Sequence, residues 1–132
     1  MSSLPTRFDH LQINVANPEF YQALFAALGA RAVSESSQAS GYKIGDVTIW
    51  VIWAERKYQE HLFHRKAIGL NHLSFELPSR RAVDKFTRDF VIPRQAVLLY
   101  ESPRLFPEYG VSHYAAYFED PSRVKLEVFA KK

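Results

Sequence analysis

The chain has 132 residues, of which 47% are hydrophobic and 23% charged, with a net charge of +3 and no cysteine. This length fits one compact domain or two small half-domains. The absence of cysteine excludes disulfide bonds, thiolate metal ligands and a cysteine nucleophile. The basic residues are scattered, so we expect no nucleic-acid partner. Because the chain has neither a membrane-length apolar run nor a signal-peptide core, we expect a cytoplasmic protein without a membrane partner.

The first part of the chain, residues 7–53, has the pattern of one strand, one helix and three further strands. Apolar and polar residues alternate over residues 8–15, as in a half-buried strand. Asn17 and Pro18 then predict a helix start, and Gly29 predicts its end. Three short strand patterns follow, at residues 31–36, 42–44 and 47–53.

The second part repeats this order after a polar stretch, residues 54–69, that we interpret as a linker. A strand pattern is followed by a helix that Ser79 caps and Pro93 closes, and three strands complete residues 70–130. The openings match, since Asp9-His10-Leu11 aligns with Asn71-His72-Leu73 at an offset of 72 − 10 = 62 residues. The sequence therefore predicts an α+β fold in which two βαβββ modules form one domain over residues 1–132.

Three residues with metal-binding side chains fall on equivalent faces of their strands. His10 and His72 lie opposite the apolar side chains of their strands, and Glu127 lies opposite Leu126 and Val128. Because each apolar face must pack on its helix, the three polar groups should all point away from the helices. A single strand histidine is usually an ordinary polar residue. Two at equivalent repeat positions, with a carboxylate, match the ligands of Fe²⁺, Mn²⁺, Zn²⁺ or Ni²⁺.

These features resemble the vicinal oxygen chelate superfamily, also called the glyoxalase/bleomycin-resistance/dioxygenase superfamily. The resemblance extends from Phe8 to Phe129. The opening FDHLQINV is similar to the first strand of the family. The ending YFEDPSRVKLEV, with an Asp-Pro turn before Leu-Glu, is the more specific match. The resemblance implies paired halves around a U-shaped cavity, one divalent ion held by His10, His72 and Glu127, and a homodimer, because small members of the family usually pair.

The sequence also departs from the family pattern. Trp50 stands where glyoxalase-like members carry a fourth, acidic ligand, which favours the two-histidine-one-carboxylate pattern of the extradiol dioxygenases. Tyr117 fits the place of a tyrosine in those enzymes and is a candidate catalytic residue. His113 does not have the spacing of their catalytic histidine, but on a strand it would share a face with Tyr117 as an acid or base. Tyr42 and Trp50 are expected to line the cavity, and the loop 100–109 could cover it.

Two functions remain compatible with these residues. The first is a metal-dependent enzyme with dioxygenase- or lyase-type chemistry on a small substrate that chelates the ion through oxygen. The alternative is a metal-free small-molecule binding protein of the bleomycin-resistance type. Such proteins generally lose the ligand residues, so the intact set of His10, His72 and Glu127 favours the enzyme.

Overall fold

The computed structural model describes residues 2–132, which divide into two compact units between Glu60 and His61. Each unit has one four-stranded sheet and one main helix, in the order strand, helix and three strands. The predicted α+β class with two βαβββ modules is therefore confirmed. In the described part of the chain, no helix is long and apolar enough to cross a membrane.

The first unit has strands with the order β1-β4-β3-β2 across its sheet. Strand β1 runs parallel to β4, and the other neighbours are antiparallel. A turn of 3-10 helix follows the last strand. The elements are β1 (His10–Val15), α1 (Pro18–Ala27), β2 (Arg31–Glu35), β3 (Ala39–Ile44) and β4 (Val47–Trp53).

Helix α1 packs its aromatic residues on the sheet of the first unit. Proline stands at the first helical position, as predicted, but the side chain of Asn17 makes no capping hydrogen bond. Gly29 follows the helix with φ +74°, a conformation that favours glycine. Tyr42 is buried and stacks on Phe25 of α1 at 4.7 Å between ring centroids. The predicted role of Tyr42 as a cavity wall is therefore wrong, because its ring belongs to the core on the helix side.

The second unit has strands with the order β5-β8-β7-β6, again with one parallel pair, β5 and β8. Its helix begins at a true cap, since Ser79 Oγ accepts a hydrogen bond from the amide of Ala82 at 3.1 Å. The helix continues as a wider π turn over Thr87–Val91. The elements are β5 (Leu73–Glu76), α2 (Arg80–Phe86), β6 (Val97–Leu105), β7 (Tyr114–Glu119) and β8 (Lys125–Ala130).

Strand β6 differs from its sequence-based prediction. It extends to Leu105 and includes Pro103, so residues 100–105 are not the loop that we predicted. The pairing of β6 with β7 is interrupted between Leu99 and Arg104. A bulge of this kind accommodates a proline that has no amide hydrogen to donate.

The sheet of the second unit is covered on both faces. On one face, α2 and the following π turn pack on β7 and β8, where Phe118, Leu126 and Val128 are fully buried. On the other face, Phe106 packs with Tyr117 and Ala115, and the partly exposed Leu99 and Phe129 adjoin them. The polar face predicted from strand alternation is thus largely removed from water. Charged groups on that face lie in surroundings where hydrogen bonds and ion pairs are strong.

Candidate functional site

Glu127 of β8 is the centre of a polar cluster in the second unit. Its side chain is 4% exposed, and its two oxygens contact two imidazoles. Oε1 lies 3.0 Å from Nε2 of His72, and Oε2 lies 2.7 Å from Nε2 of His113. Tyr117 stands opposite Glu127 in the β7–β8 register, and its ring meets that of His72 edge to face. The structure therefore brings together four of the five predicted site residues.

The surroundings of Glu127 keep its carboxylate ionised. Burial acts to raise the pKa of Glu127, but hydrogen bonds from His72, His113, Ser74 and Tyr117 outweigh burial and lower it to about 2. For Tyr117, burial and then the hydrogen bond to Glu127 raise the pKa far above that of an ordinary tyrosine. Tyr117 is thus a neutral phenol that donates a hydrogen bond to the ionised carboxylate of Glu127.

The ring orientation of His72 is set by the residue before it. Nδ1 of His72 lies 2.8 Å from Oδ1 of Asn71, while Nδ2 of Asn71 donates to the carbonyl of Arg65 at 3.2 Å. This second bond assigns the amide oxygen to the histidine, so Nδ1 of His72 must carry a proton. In a neutral ring, the lone pair of Nε2 then faces the carboxylate of Glu127. A cation between the two atoms would satisfy both the lone pair and the carboxylate.

His10 shows the same arrangement in the first unit. It is the first residue of β1, its side chain is 55% exposed, and its Nδ1 lies 2.7 Å from Oδ2 of Asp9. An oxygen of the preceding residue thus contacts Nδ1 in both repeats, which leaves Nε2 of each ring for other partners. The repeated Asp/Asn-His pair is visible in the sequence, but the contacts of Asp9 and Asn71 with the imidazoles are seen only in the structure.

The two modules differ at the equivalent positions of β4 and β8. In β4, Trp50 pairs with Gln12 of β1, and in β8, Glu127 pairs with Ser74 of β5. These partners are one repeat apart, since 74 − 12 = 62, so Trp50 is the equivalent of Glu127. A Cβ at Gly41, the neighbour of Trp50 in β3, would lie 2.8 Å from the indole ring. The first module therefore has an indole packed on a glycine where the second has the Glu127–Tyr117 pair.

His113 lies just before β7 rather than within it. Its ring stacks on Phe129 at 4.7 Å between centroids and meets Tyr109 edge to face. Its contact with Glu127 supports a role in the site, although it reaches the carboxylate from a turn and not from strand alternation. Among residues 2–132, no group of three or more His, Cys, Asp or Glu side chains is arranged around one metal position. Here His72 and His113 each form a hydrogen bond with a different oxygen of Glu127.

Comparisons with known proteins support the fold independently. No protein-family model matches the chain. It is 30% identical over 125 residues to the uncharacterized protein YqjT of Bacillus subtilis, covering 92% of this chain and 96% of that protein. A solved structure described as a proposed glyoxalase of Bacillus halodurans is 35% identical, with a TM-score of 0.81, covering 93% of this chain and 94% of that one.

More distant solved structures share the fold. A glyoxalase/bleomycin resistance protein from Albidiferax ferrireducens is 21% identical with a TM-score of 0.68, covering 93% of this chain and 97% of that one. The fosfomycin resistance protein FosX from Listeria monocytogenes, solved with Mn(II) and sulfate, is 17% identical with a TM-score of 0.68. That match covers 96% of this chain and 91% of FosX.

Proposed function

Because this chain belongs to the vicinal oxygen chelate superfamily, we propose that it is an enzyme that binds one divalent metal ion through His10, His72 and Glu127. Its substrate is a small molecule that chelates the ion through two neighbouring oxygen atoms. The observation that carries this proposal is the contact between Nε2 of His72 and the buried, ionised carboxylate of Glu127.

The donor atoms of this contact suit a divalent ion. Nε2 of His72 and Oε1 of Glu127 are 3.0 Å apart. Two neighbouring ligands at right angles, each about 2.1 Å from an ion, are separated by a similar distance. Imidazole and carboxylate together are ligands for Mn²⁺, Fe²⁺, Zn²⁺ and Ni²⁺. Since FosX was solved with Mn(II), Mn²⁺ is the first ion to test.

The residues around the ion have separate tasks in the proposed reaction. A bound ion supplies Lewis-acid stabilisation of negative charge that develops on a substrate oxygen. Tyr117 donates to Glu127 and keeps it ionised and correctly oriented. Nε2 of His113 lies 2.7 Å from Oε2 of Glu127, which places its ring beside the proposed ion. His113 is the candidate group for exchange of a proton with the substrate, as a general base that takes the proton and as the acid that returns it.

The reaction is of dioxygenase or lyase type. Three protein ligands together with Tyr117 favour oxygen chemistry on a catechol, whereas opening or rearranging a carbon–oxygen or carbon–sulfur bond requires only charge stabilisation and a proton carrier. A panel of catechols with O₂, hemithioacetals, and epoxide phosphonates with a thiol distinguishes these classes. Turnover of catechols alone supports the dioxygenase, and turnover of either other group supports the lyase-type reaction.

Metal analysis tests the proposal directly. Protein purified without chelators, or reloaded with Mn²⁺ after dialysis, is expected to contain one ion per chain by elemental analysis and by isothermal titration. His72→Ala should abolish this binding, whereas His61→Ala, which removes an exposed histidine outside the cluster, should retain it. If no Mn²⁺, Fe²⁺, Zn²⁺ or Ni²⁺ binds, the enzyme proposal is wrong and the metal-free binding protein becomes the better interpretation.

Asn71 provides a second test, of ligand positioning. Asn71→Leu removes the acceptor that keeps the proton on Nδ1 of His72, and it is expected to weaken Mn²⁺ binding by about 10- to 100-fold. Asn71→Asp retains an oxygen at this place, as Asp9 does for His10, and should restore affinity. Isothermal titration of both variants gives the comparison. Equal weakening in both would mean that the loss comes from the disturbed loop and not from the histidine proton.

We also propose that the chain forms a homodimer, as small members of this superfamily usually do. Sedimentation velocity of the metal-loaded protein measures this mass directly. A species with the mass of one chain at all concentrations would contradict the proposal.

A further inference from the structure

A buried lysine beside the cluster has no carboxylate partner. Lys125 of β8 is 8% exposed. Its Nζ donates to the hydroxyl of Tyr100 at 2.9 Å and lies over the rings of Tyr100 and Tyr117, at 4.8 and 4.9 Å from their centroids. Within residues 2–132 it forms no ion pair with an acid. Buried ammonium groups are normally paired with a carboxylate. The ammonium of Lys125 instead donates a hydrogen bond to the phenol oxygen of Tyr100.

A second cation lies near the same phenol. The guanidinium of Arg65 is 5.9 Å from the ring centroid of Tyr100, and it donates to Glu119 at 2.9 Å. Burial acts to raise the pKa of Tyr100, but the hydrogen bond and charge of Lys125, followed by those of Arg65, hold it below the ordinary value. The surroundings of Tyr100 therefore make its phenolate more stable than that of an ordinary tyrosine.

The backbone presents Tyr100 in an unusual conformation. Tyr100 and Glu101 have φ values of 58° and 56°, which is a strained region for residues other than glycine. They lie in the bulge of β6, where Ser102 Oγ accepts from the amide of Tyr117 at 2.9 Å and donates to the carbonyl of Leu99 at 2.8 Å. Arg104 Nε donates to the carbonyl of Tyr100 at 2.8 Å. This conformation leaves 42% of Tyr100 exposed, while the lysine behind it is buried.

The phenol of Tyr100 is close to the Glu127 cluster. Its ring packs edge to face on Tyr117 with centroids 5.3 Å apart, and Tyr117 in turn contacts His72 at 5.8 Å. The oxygen of Tyr100 accepts a hydrogen bond from Lys125, so its own proton must point elsewhere. Among the described residues, no side chain takes that proton. It is free to bond to a bound molecule.

We propose that Tyr100 is a further catalytic residue, which exchanges a proton with the substrate while Lys125 acts as the positioning residue for its oxygen. The inference rests on the proposed function above. In the forward step, the O–H bond of Tyr100 breaks, its electron pair remains on the phenol oxygen, and the proton forms a new O–H bond with an oxygen anion of the substrate. Lys125 and Arg65 stabilise the phenolate until the proton returns.

The charges around Tyr100 support this direction of proton transfer. The charged and titratable groups that face it come from β8, from the segment before β5, from β7 and from β6 itself. Glu119 accepts a hydrogen bond from Arg65 and offsets part of its charge, so the net charge around Tyr100 remains positive. These groups are Lys125, Arg65, Tyr117 and Arg104.

Tyrosine ionisation can be measured without any substrate. The ultraviolet absorbance of tyrosinate, followed in metal-free protein from neutral pH to about 12, is expected to include one tyrosine that ionises below the ordinary value of about 10. Tyr100→Phe should remove this component, and Lys125→Met should move it upward by about one pH unit or more. Lys125→Arg keeps the charge and should restore the low ionisation. Tyr58→Phe, at an exposed ring, should leave it unchanged.

A second measurement separates this inference from the proposed function. Because Tyr100 does not contact the proposed ligands, Tyr100→Phe should bind Mn²⁺ with wild-type affinity. On a substrate from the panel, it should lower kcat by about 100-fold or more with little change in KM. Normal Mn²⁺ binding combined with identical tyrosinate pH titrations of the wild type and Tyr100→Phe, or with an unchanged kcat, would overturn the inference alone. If the protein binds no metal but the tyrosinate titration still shows one tyrosine with a lowered pKa, the proposed function is wrong. The catalytic role of Tyr100 is then wrong as well, because it depends on that function. Circular dichroism confirms that each variant is folded.

Discussion

Replacing Glu127 with glutamine is expected to weaken the affinity for Mn²⁺ by more than about 100-fold. The substitution preserves the shape of the side chain but removes the negative charge that faces His72. It also turns an amide group toward one of the two imidazoles. Isothermal titration measures the affinity. Thermal unfolding with and without Mn²⁺ gives an independent measure, since an ion at about 100 times its Kd stabilises the folded state by about 2.7 kcal/mol.

Glu76→Gln is the matched control for this prediction. Glu76 is an exposed carboxylate at the end of β5, the strand that pairs with β8. It should keep wild-type Mn²⁺ affinity and the full stabilisation by the ion. If Glu127→Gln binds Mn²⁺ as tightly as Glu76→Gln, then Glu127 is not a ligand and the polar cluster has a structural role.

Truncating Phe118 to alanine is expected to lower the free energy of unfolding by about 3–5 kcal/mol. The residue is fully buried, and its ring packs against Phe86 and Phe90 at centroid distances of 5.9 and 6.5 Å. The loss combines the buried apolar surface of one ring with the cavity that remains between the helix and the sheet. Urea denaturation followed by circular dichroism measures the change.

The control for Phe118 is another phenylalanine with little contact. Phe8 is 64% exposed, so Phe8→Ala should change the free energy of unfolding by no more than about 0.5 kcal/mol. If Phe118→Ala lowers the free energy of unfolding as little as Phe8→Ala does, then the packing of helix α2 on the sheet contributes little to stability. The ring of Phe118 lies on the opposite face from Tyr117, so the folded fraction of Phe118→Ala should still bind Mn²⁺.

The module order and the candidate ligands could be predicted from the sequence because both depend on local patterns. Alternation of apolar and polar residues decides which face of a strand meets the helix, and this placed His72 and Glu127 on the same side without any three-dimensional information. The family resemblance placed Trp50 at a ligand position of the first module, and the strand register of the two sheets shows that this position is equivalent to that of Glu127. The assignment of His10, His72 and Glu127 as metal ligands stays a prediction.

Other features depend on contacts between residues distant in the chain. His113 reaches Glu127 from a turn, and Tyr100 reaches Lys125 through a bulge that breaks the pairing of β6. Alternation cannot predict either contact, because both lie where the regular strand geometry ends. The prediction for Tyr42 was wrong because β3 has no clear alternation of apolar and polar residues, so the sequence does not show which of its faces meets the helix.

The sequence by itself determined which residue types occur at equivalent positions of the two modules, and hence the chemistry that the protein has available. Only the tertiary structure decided how those groups are used: Asn71 orients His72, Tyr117 stands opposite Glu127, and Lys125 is buried behind Tyr100. The physical reason is that strand periodicity is a property of neighbouring residues. Cross-strand register, loop geometry and burial instead depend on how the whole sheet packs.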